Sequence, residues 1–258
     1  MALFCSTFAY VLAKLAGDRW DAVKAAELAN LDESKWSGFR TLGQLTKVAD
    51  EWREPLTGIV GDTCVITKAR SRAAGEFLST KADVWISVDD DVYASAAVLS
   101  DLVHAVRATR GLVSVPCVVR GGGRCNFHKV YGPQQIAGIK LAASDQIGFG
   151  LFGVHRSAVE TLAAMVAKVR VTQGPYLIEY PALFTEEIRD GAWIGEDVRF
   201  CWSCQAEDIP VMALCEAPTV HAGLKMKLSY PGLDIMVDER TAGALDDLDP
   251  TIDAPTDQ

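Results

Sequence analysis

The chain has 258 residues, with 25 Lys+Arg against 34 Asp+Glu and a formal charge of −9, a balance that excludes a generic basic nucleic-acid binder. Hydrophobic residues make up 49% and charged residues 23%, close to the globular average, which excludes global disorder and provides for a sizeable core. Seven cysteines, an odd number in a chain too long to need staples, fit reduced thiols in a cytosol-like compartment better than a disulfide framework.

In chain order, residues 2–8 (ALFCSTF) read as a first strand. The apolar run 2–13 falls short of the roughly 20 residues a bilayer span needs, and no Lys or Arg precedes it. The expectation is therefore a cytoplasmic chain with no membrane insertion. Residues 18–53 carry an amphipathic helical pattern interrupted at LDESKWSG and ended by Pro55. A short apolar run at 57–60 leads through Gly61-Asp62 into a helix over 66–79, where Ile66, Ala69, Ala73 and Phe77 share one face. The strand 83–88 (DVWISV) then ends in Asp89, Asp90 and Asp91.

Residues 94–109 read as a helix, and 112–119 (LVSVPCVV) as a strand whose proline favours an edge or bulged position. Residues 120–135 read as a glycine-rich polar loop. A short apolar run at 151–154 precedes a helix opening at Ser157, with Ser157 and Glu160 at capping-box spacing. A last helix covers 196–206. Strands alternating with helices predict an α/β fold, a three-layer sandwich around a largely parallel sheet. Residues 1–240 form the expected catalytic domain. Residues 241–258 carry five Asp and no base, the composition of a solvated tail.

In open α/β sheets ligands bind beyond the carboxyl ends of the strands, where Asp89-Asp90-Asp91 falls. Adjacent carboxylates raise one another's pKa unless a cation neutralises them, so this position points to a hard divalent ion, Mn²⁺ or Mg²⁺. The alternative is a solvated acidic turn.

The stretch ITKARSRAAGEFLSTKADVWISVDDDV resembles the nucleotide-sugar-dependent glycosyltransferases of the A-type fold, with an Asp-x-Asp at a strand end preceded by a helix carrying an arginine. IGFGLFGVHRSAVETL, then WIGEDVRFCWSCQAEDIPV, then APTVHAG follow in the family's order, so the resemblance covers roughly residues 57–223. The opening ALFCSTFAY lacks the family's proline.

The resemblance implies that Asp91 ligates the metal with His221, and that Asp89 contacts ribose, a metal-bound water or the metal. It implies donor contacts from Asp62, Arg70, Asp89, Asp90, Gly148, Gly150 and Lys225, with Arg70 facing the diphosphate or the first Asp. Arg72, two residues on, lies on another helix face. The acidic pair is implied to lie beside the acceptor, with Asp197 as general base and Glu196 as the alternate. Trp193 offers an apolar platform for acceptor binding. The implied activity is transfer of a sugar from a nucleoside diphosphate sugar, UDP-linked by family frequency, with inversion. The acceptor stays open among a glycan, a small molecule, a protein and a hydroxylated DNA base, the last served by a basic groove at Arg120, Arg124, His128 and Lys129.

Two patterns look specific without the right context. Gly148-Phe149-Gly150-Leu151-Phe152-Gly153 matches the dinucleotide fingerprint, but an apolar run separates it from the next helix. Cys201 and Cys204, inside a helix with no second C-x-x-C, read as two small buried hydrophobes rather than zinc ligands. The rival readings are a haloacid-dehalogenase-type phosphohydrolase, a nucleotidyltransferase and a non-catalytic sugar-binding module.

Overall fold

The computed structural model describes residues 3–7, 37–53, 56–60, 65–89, 92–117, 125–173, 176–222 and 227–230. Its main sheet is built from β1 (Leu3–Thr7), β2 (Leu56–Val60), β3 (Val84–Val88), β5 (Leu112–Ser114), β6 (Phe127–Val130), β8 (Ile139–Ile147), β9 (Leu151–His155) and β14 (Val211–Leu214), in the order β2-β1-β3-β9-β5-β14-β8-β6, with β7 (Gln134–Ile136) paired to β8. A small second sheet joins β4 (Val92–Ala94), β15 (Thr219–Ala222) and β16 (Lys227–Tyr230). Two hairpins, β10 (Lys168–Gln173) with β11 (Tyr176–Pro181) and β12 (Glu187–Arg189) with β13 (Ala192–Ile194), stand apart. The helices are α1 (Ser37–Trp52), α2 (Ile66–Ser79), α3 (Ala96–Thr109), α4 (Arg156–Ala163) and α5 (Glu196–Ala206).

The central strands β3, β5, β9 and β14 are buried on both faces, and their alternation sorts side chains into two main cores. Val84, Ile86 and Val88 of β3 join Leu45 and Val48 of α1 and Leu99, Leu102 and Val106 of α3. Trp85, between them in sequence, joins Phe77 of α2, Val159 of α4 and Phe200 of α5 on the opposite face. This period-two split makes the three layers. Gly153 of β9 lets α3 lie close on the sheet, since a Cβ there would sit 2.7 Å from Val106 Cγ2 and 2.8 Å from Ile86 Cδ1.

The α/β sandwich agrees with the sequence pattern, and α2 and α5 fall on the expected residues. The strand directions differ from expectation. β1 pairs parallel with β2 and β3, and β5 with β14, but β9 runs antiparallel to β3 and β5, and β8 antiparallel to β14, β6 and β7. The tight turn Ala137-Gly138, with φ of 51° and 80°, joins β7 directly to β8, and a two-residue hairpin turn permits only antiparallel pairing.

Four local corrections follow. β5 stops at Ser114, before Pro116, and is central rather than an edge. Residues 127–130 and 134–135, within the stretch 120–135 read as loop, lie in strands held by β8. The helix expected from 94 begins at Ala96 behind the cap Ser95, because 92–94 are taken up in β4. The cap of α4 is His155, whose imidazole accepts the Ser157 N–H at 3.2 Å, while Glu160 pairs with Arg156 at 3.3 Å in place of the capping box.

Arg156 also closes the C-terminus of α2. Its Nε donates to Ala82 O at 2.5 Å, its Nη2 to Phe77 O and Thr80 O at 3.0 Å each, and its guanidinium lies 4.6 Å from the Phe77 ring centroid. The last carbonyls of a helix lack intrahelical donors, and here one planar fork supplies them from the neighbouring helix α4. Arg156→Ala is expected to cost about 3 kcal/mol in urea or thermal melts, and Arg156→Lys to recover little of it.

Among the described residues no helix is long and apolar enough to cross a membrane. The expected tail, residues 241–258, lies outside the described residues.

Candidate functional site

The site is assembled where β3 ends and the chain turns into β4. Asp89 N–H donates to Gly150 O at 2.9 Å, and Val92 N–H to Asp89 O at 3.2 Å, so the end of β3 and the start of β4 meet at a corner between two sheets. Fully buried Thr41 of α1 fixes the far side of the corner. Its Oγ1 donates to Val92 O at 2.7 Å and accepts Ala94 N–H at 3.0 Å, on the edge of β4 opposite β15.

Arg70, on the buried face of α2, is 2% exposed and reaches under this corner. Its Nη2 donates to Asp89 Oδ1 and to Phe149 O, both at 2.9 Å, and its Nη1 to Glu196 Oε1 at the start of α5. The guanidinium carbon lies 5.5 Å and 5.8 Å from the Phe149 and Phe152 ring centroids. One buried cation thus ties β3, the 148–150 segment and α5 together. Of the two roles expected for Arg70, the structure displays the contact with the first Asp. Arg72 points elsewhere, to Glu76 at 2.8 Å.

Burial pushes the Glu196 carboxyl above its ordinary range, Asp197 and Glu186 add to that, and the Arg70 guanidinium opposes it. Desolvation outweighs the ion pair because the carboxyl has left water while sharing the Arg70 guanidinium with Asp89 and Phe149 O. Asp197 is half-exposed, and its Oδ1 accepts the Val198 N–H at 2.8 Å within the first turn of α5. Gly195 is the N-cap, and a Cβ there would come within 2.9 Å of Asp197 Oδ1.

The glycine segment enters β9, a strand, rather than a helix, the context that rules out a dinucleotide fingerprint. A Cβ on Gly148 would run into the Asn126 side chain, and one on Gly150 would meet Val92 and Cys117. Asn126 and Ser114, unremarked in the sequence, hold this segment. Gly148 N–H donates to Asn126 O at 2.7 Å, Cys117 N–H to Asn126 Oδ1 at 2.9 Å, and Ser114 Oγ to Gly148 O at 2.6 Å. No sequence motif marks them, because their partners lie on other strands.

His221 is brought to the same corner by its backbone. β15 pairs antiparallel with β4, and His221 stands opposite Val92, the residue that follows Asp91. Asp62, Asp90, Asp91 and Lys225 lie outside the described residues, as does the His221 side chain. Among the described residues no cluster of three His, Cys, Asp or Glu forms a metal cage.

Trp193 is 66% exposed on β13, just ahead of α5. Asp190-Gly191, with φ of 52° and 80°, forms the turn between β12 and β13, and this Asp-Gly signal in the sequence marks a hairpin. His128 and Lys129 are exposed on β6, at the sheet's edge, and Arg120 and Arg124 lie outside the described residues. Cys201 and Cys204 are buried, with burial pushing the Cys201 thiol up to about 12 and that of Cys204 well above its ordinary value, so both act as core residues.

No family model matches the chain, and no curated protein matches it. Among solved structures, A197 from STIV aligns over 86% of this chain and 85% of its own at 13% identity, with a TM-score of 0.47. S. aureus TarS 1-349 in complex with UDP-GlcNAc aligns over 83% of this chain and 56% of its own at 12% identity and 0.40. A UDP-glucose pyrophosphorylase complexed with UDP-glucose aligns over 83% and 90% at 7% identity and 0.40. Likeness at this level decides no function.

Proposed function

We propose that the chain is a metal-dependent glycosyltransferase that moves a sugar from a nucleoside diphosphate sugar, UDP-linked, to an acceptor hydroxyl with inversion. The observation that carries this reading is the buried Arg70, which holds a carboxylate at the end of β3 and another at the start of α5 on one guanidinium. Such a link has little use in a plain core, because ion pairs of this kind cost desolvation without adding net stability. It does fix the distance between a donor-side acid and an acceptor-side acid.

The β4–β15 register adds support, since it sets His221 across from the residue after Asp91. Two carboxylates and an imidazole form a donor set that suits Mn²⁺ or Mg²⁺. Asp91, His221 and Asp89 would hold the ion, which supplies Lewis-acid stabilisation of the diphosphate leaving group. Asp62, Asp90 and Lys225, with the backbone at Gly148 and Gly150, complete the donor side. Asp197 takes the proton of the acceptor hydroxyl as general base, while Glu196, committed to Arg70, is a positioning residue.

The test is a thermal-shift panel of UDP-, GDP-, TDP- and CMP-sugars with and without Mn²⁺, on wild type and Asp91→Ala. The expected result is stabilisation by one nucleotide class, only with metal, lost in Asp91→Ala; at a hundredfold excess over Kd the gain is about 2.7 kcal/mol. A shift by a nucleoside triphosphate with a sugar 1-phosphate, and none by any nucleotide sugar, would replace sugar transfer with nucleotidyl transfer.

A further inference from the structure

The β12–β13 hairpin is amphipathic the wrong way round for a protein surface. Its register pairs Glu187 with Ile194, Ile188 with Trp193 and Arg189 with Ala192, so side chains alternate between two faces. The charged face is turned to α5. Glu187 pairs with Arg199 and, at 2.9 Å, with Arg189, and the Arg189 guanidinium lies 4.9 Å from the Trp202 ring centroid. The other face presents Ile188 and Trp193 side by side to solvent, 69% and 66% exposed. Directly opposed residues on an antiparallel pair share one face, so these two form a single apolar platform.

A hairpin normally keeps its apolar side inward. This one spends its ionic side on anchoring and displays its apolar side, and it runs without a break through Gly195 into Glu196 and Asp197. The platform therefore stands four residues from the proposed base.

Charge narrows the occupant. Around the platform the segment 186–197 supplies Glu186, Glu187, Asp190, Glu196 and Asp197 against Arg189; Arg199 and Arg189 pair with Glu187 and Arg70 with Glu196, so five acids still face three bases, with Glu186 and Asp190 exposed. A phosphate backbone is repelled by such a surface. A neutral pyranose suits it, with an apolar C–H face to lie on the indole and hydroxyls to donate to carboxylates.

We infer that the Trp193–Ile188 face is the acceptor subsite and that the acceptor is a neutral glycan rather than a nucleic acid. The inference rests on the glycosyltransferase reading for the word acceptor, and its test reads binding alone.

The test is saturation-transfer NMR on the full chain with maltotetraose, cellotetraose, xylotetraose and chitotriose, and, in a separate arm, oligothymidylate. At least one neutral sugar should receive saturation on its ring C–H protons. Trp193→Ala should weaken that binding about tenfold, Trp193→Phe should keep most of it, and Lys168→Ala should change nothing. With Trp193 so exposed, truncation leaves the core intact.

Silence from every neutral sugar, or equal signal in Trp193→Ala, overturns the inference. So does oligothymidylate binding that needs Trp193, or a dimer in sedimentation that Trp193→Ala dissolves. The wild-type response to nucleotide sugars, measured without glycan, separates the two readings. Glycan binding with no donor response would remove the transferase and leave a sugar-binding face. Donor response with no glycan binding would do the reverse.

Discussion

Arg70→Met should lower stability at pH 7 by about 3–5 kcal/mol, the cost of leaving buried carboxylates without their cation. For a fold of this size that is a fall in melting temperature of roughly 10 °C. The pH dependence tests the cause. Glu196 already has a raised folded-state pKa, so it binds its proton more tightly folded than unfolded. Its contribution is fully present below the ordinary value of 4.5 and is lost as pH rises through the folded value. Removing Arg70 takes away the group that opposes this shift. The variant should therefore lose stability more steeply with rising pH, and its deficit against wild type should shrink as pH falls towards 4.5. Glu196→Gln in the Arg70→Met background should restore part of the loss at pH 7, although Glu196→Gln alone should not stabilise to the same extent, and a double-mutant cycle reads the coupling. A deficit independent of pH and additive with Glu196→Gln would show that packing against Phe149 and Phe152, rather than charge, is what Arg70 provides.

If the chain is the proposed metal-dependent glycosyltransferase with Asp197 as its base, Asp197→Asn should reduce sugar transfer by about 10²–10⁴-fold, the usual contribution of a positioned general base, while the metal-dependent response to donor stays as in wild type. Asparagine keeps an oxygen to accept the Val198 N–H, so the first turn of α5 is preserved. Rates are to be measured with saturating donor, where loss of the base appears in kcat rather than in donor KM. Near-normal turnover would move the base to Glu196, and Glu196→Gln would then carry the loss.

The two predictions separate adjacent residues by environment alone. Glu196 and Asp197 are neighbours in sequence and alike in chemistry, and either was eligible as base. One residue step of the helix, about 100° of rotation, divides them: Glu196 faces inward to a buried guanidinium, whereas Asp197 stays half-exposed on its own backbone cap.

Much of the architecture was legible in the chain itself. Helical periodicity over 66–79 and 196–206 and the run of apolar residues ending in Asp89-Asp90-Asp91 are local signals, because a helix face or a buried strand is written in the spacing of its own side chains. The α/β layering followed from their alternation. The order of the motifs also singled out Arg70, Asp89 and Glu196, and these three side chains are in contact although 126 positions separate the first from the last.

What the sequence left undecided depends on partners far away in the chain. The direction of β9 and β8, the central place of β5 and the strands at 127–130 and 134–136 are settled by pairing with distant strands, and no residue's own pattern encodes its neighbour's direction. The capping of α4 by His155 rather than Ser157 turns on how the chain leaves β9. The roles of Asn126, Ser114 and Thr41 come from hydrogen bonds to backbone groups that other elements leave unpaired. Sequence alone determined which helices and apolar strands form and which acids and bases stand at their ends. Only the tertiary structure decided that one buried arginine is shared between two acids and that the hairpin before α5 turns its apolar side to water, since both depend on which surfaces face each other once the layers are packed.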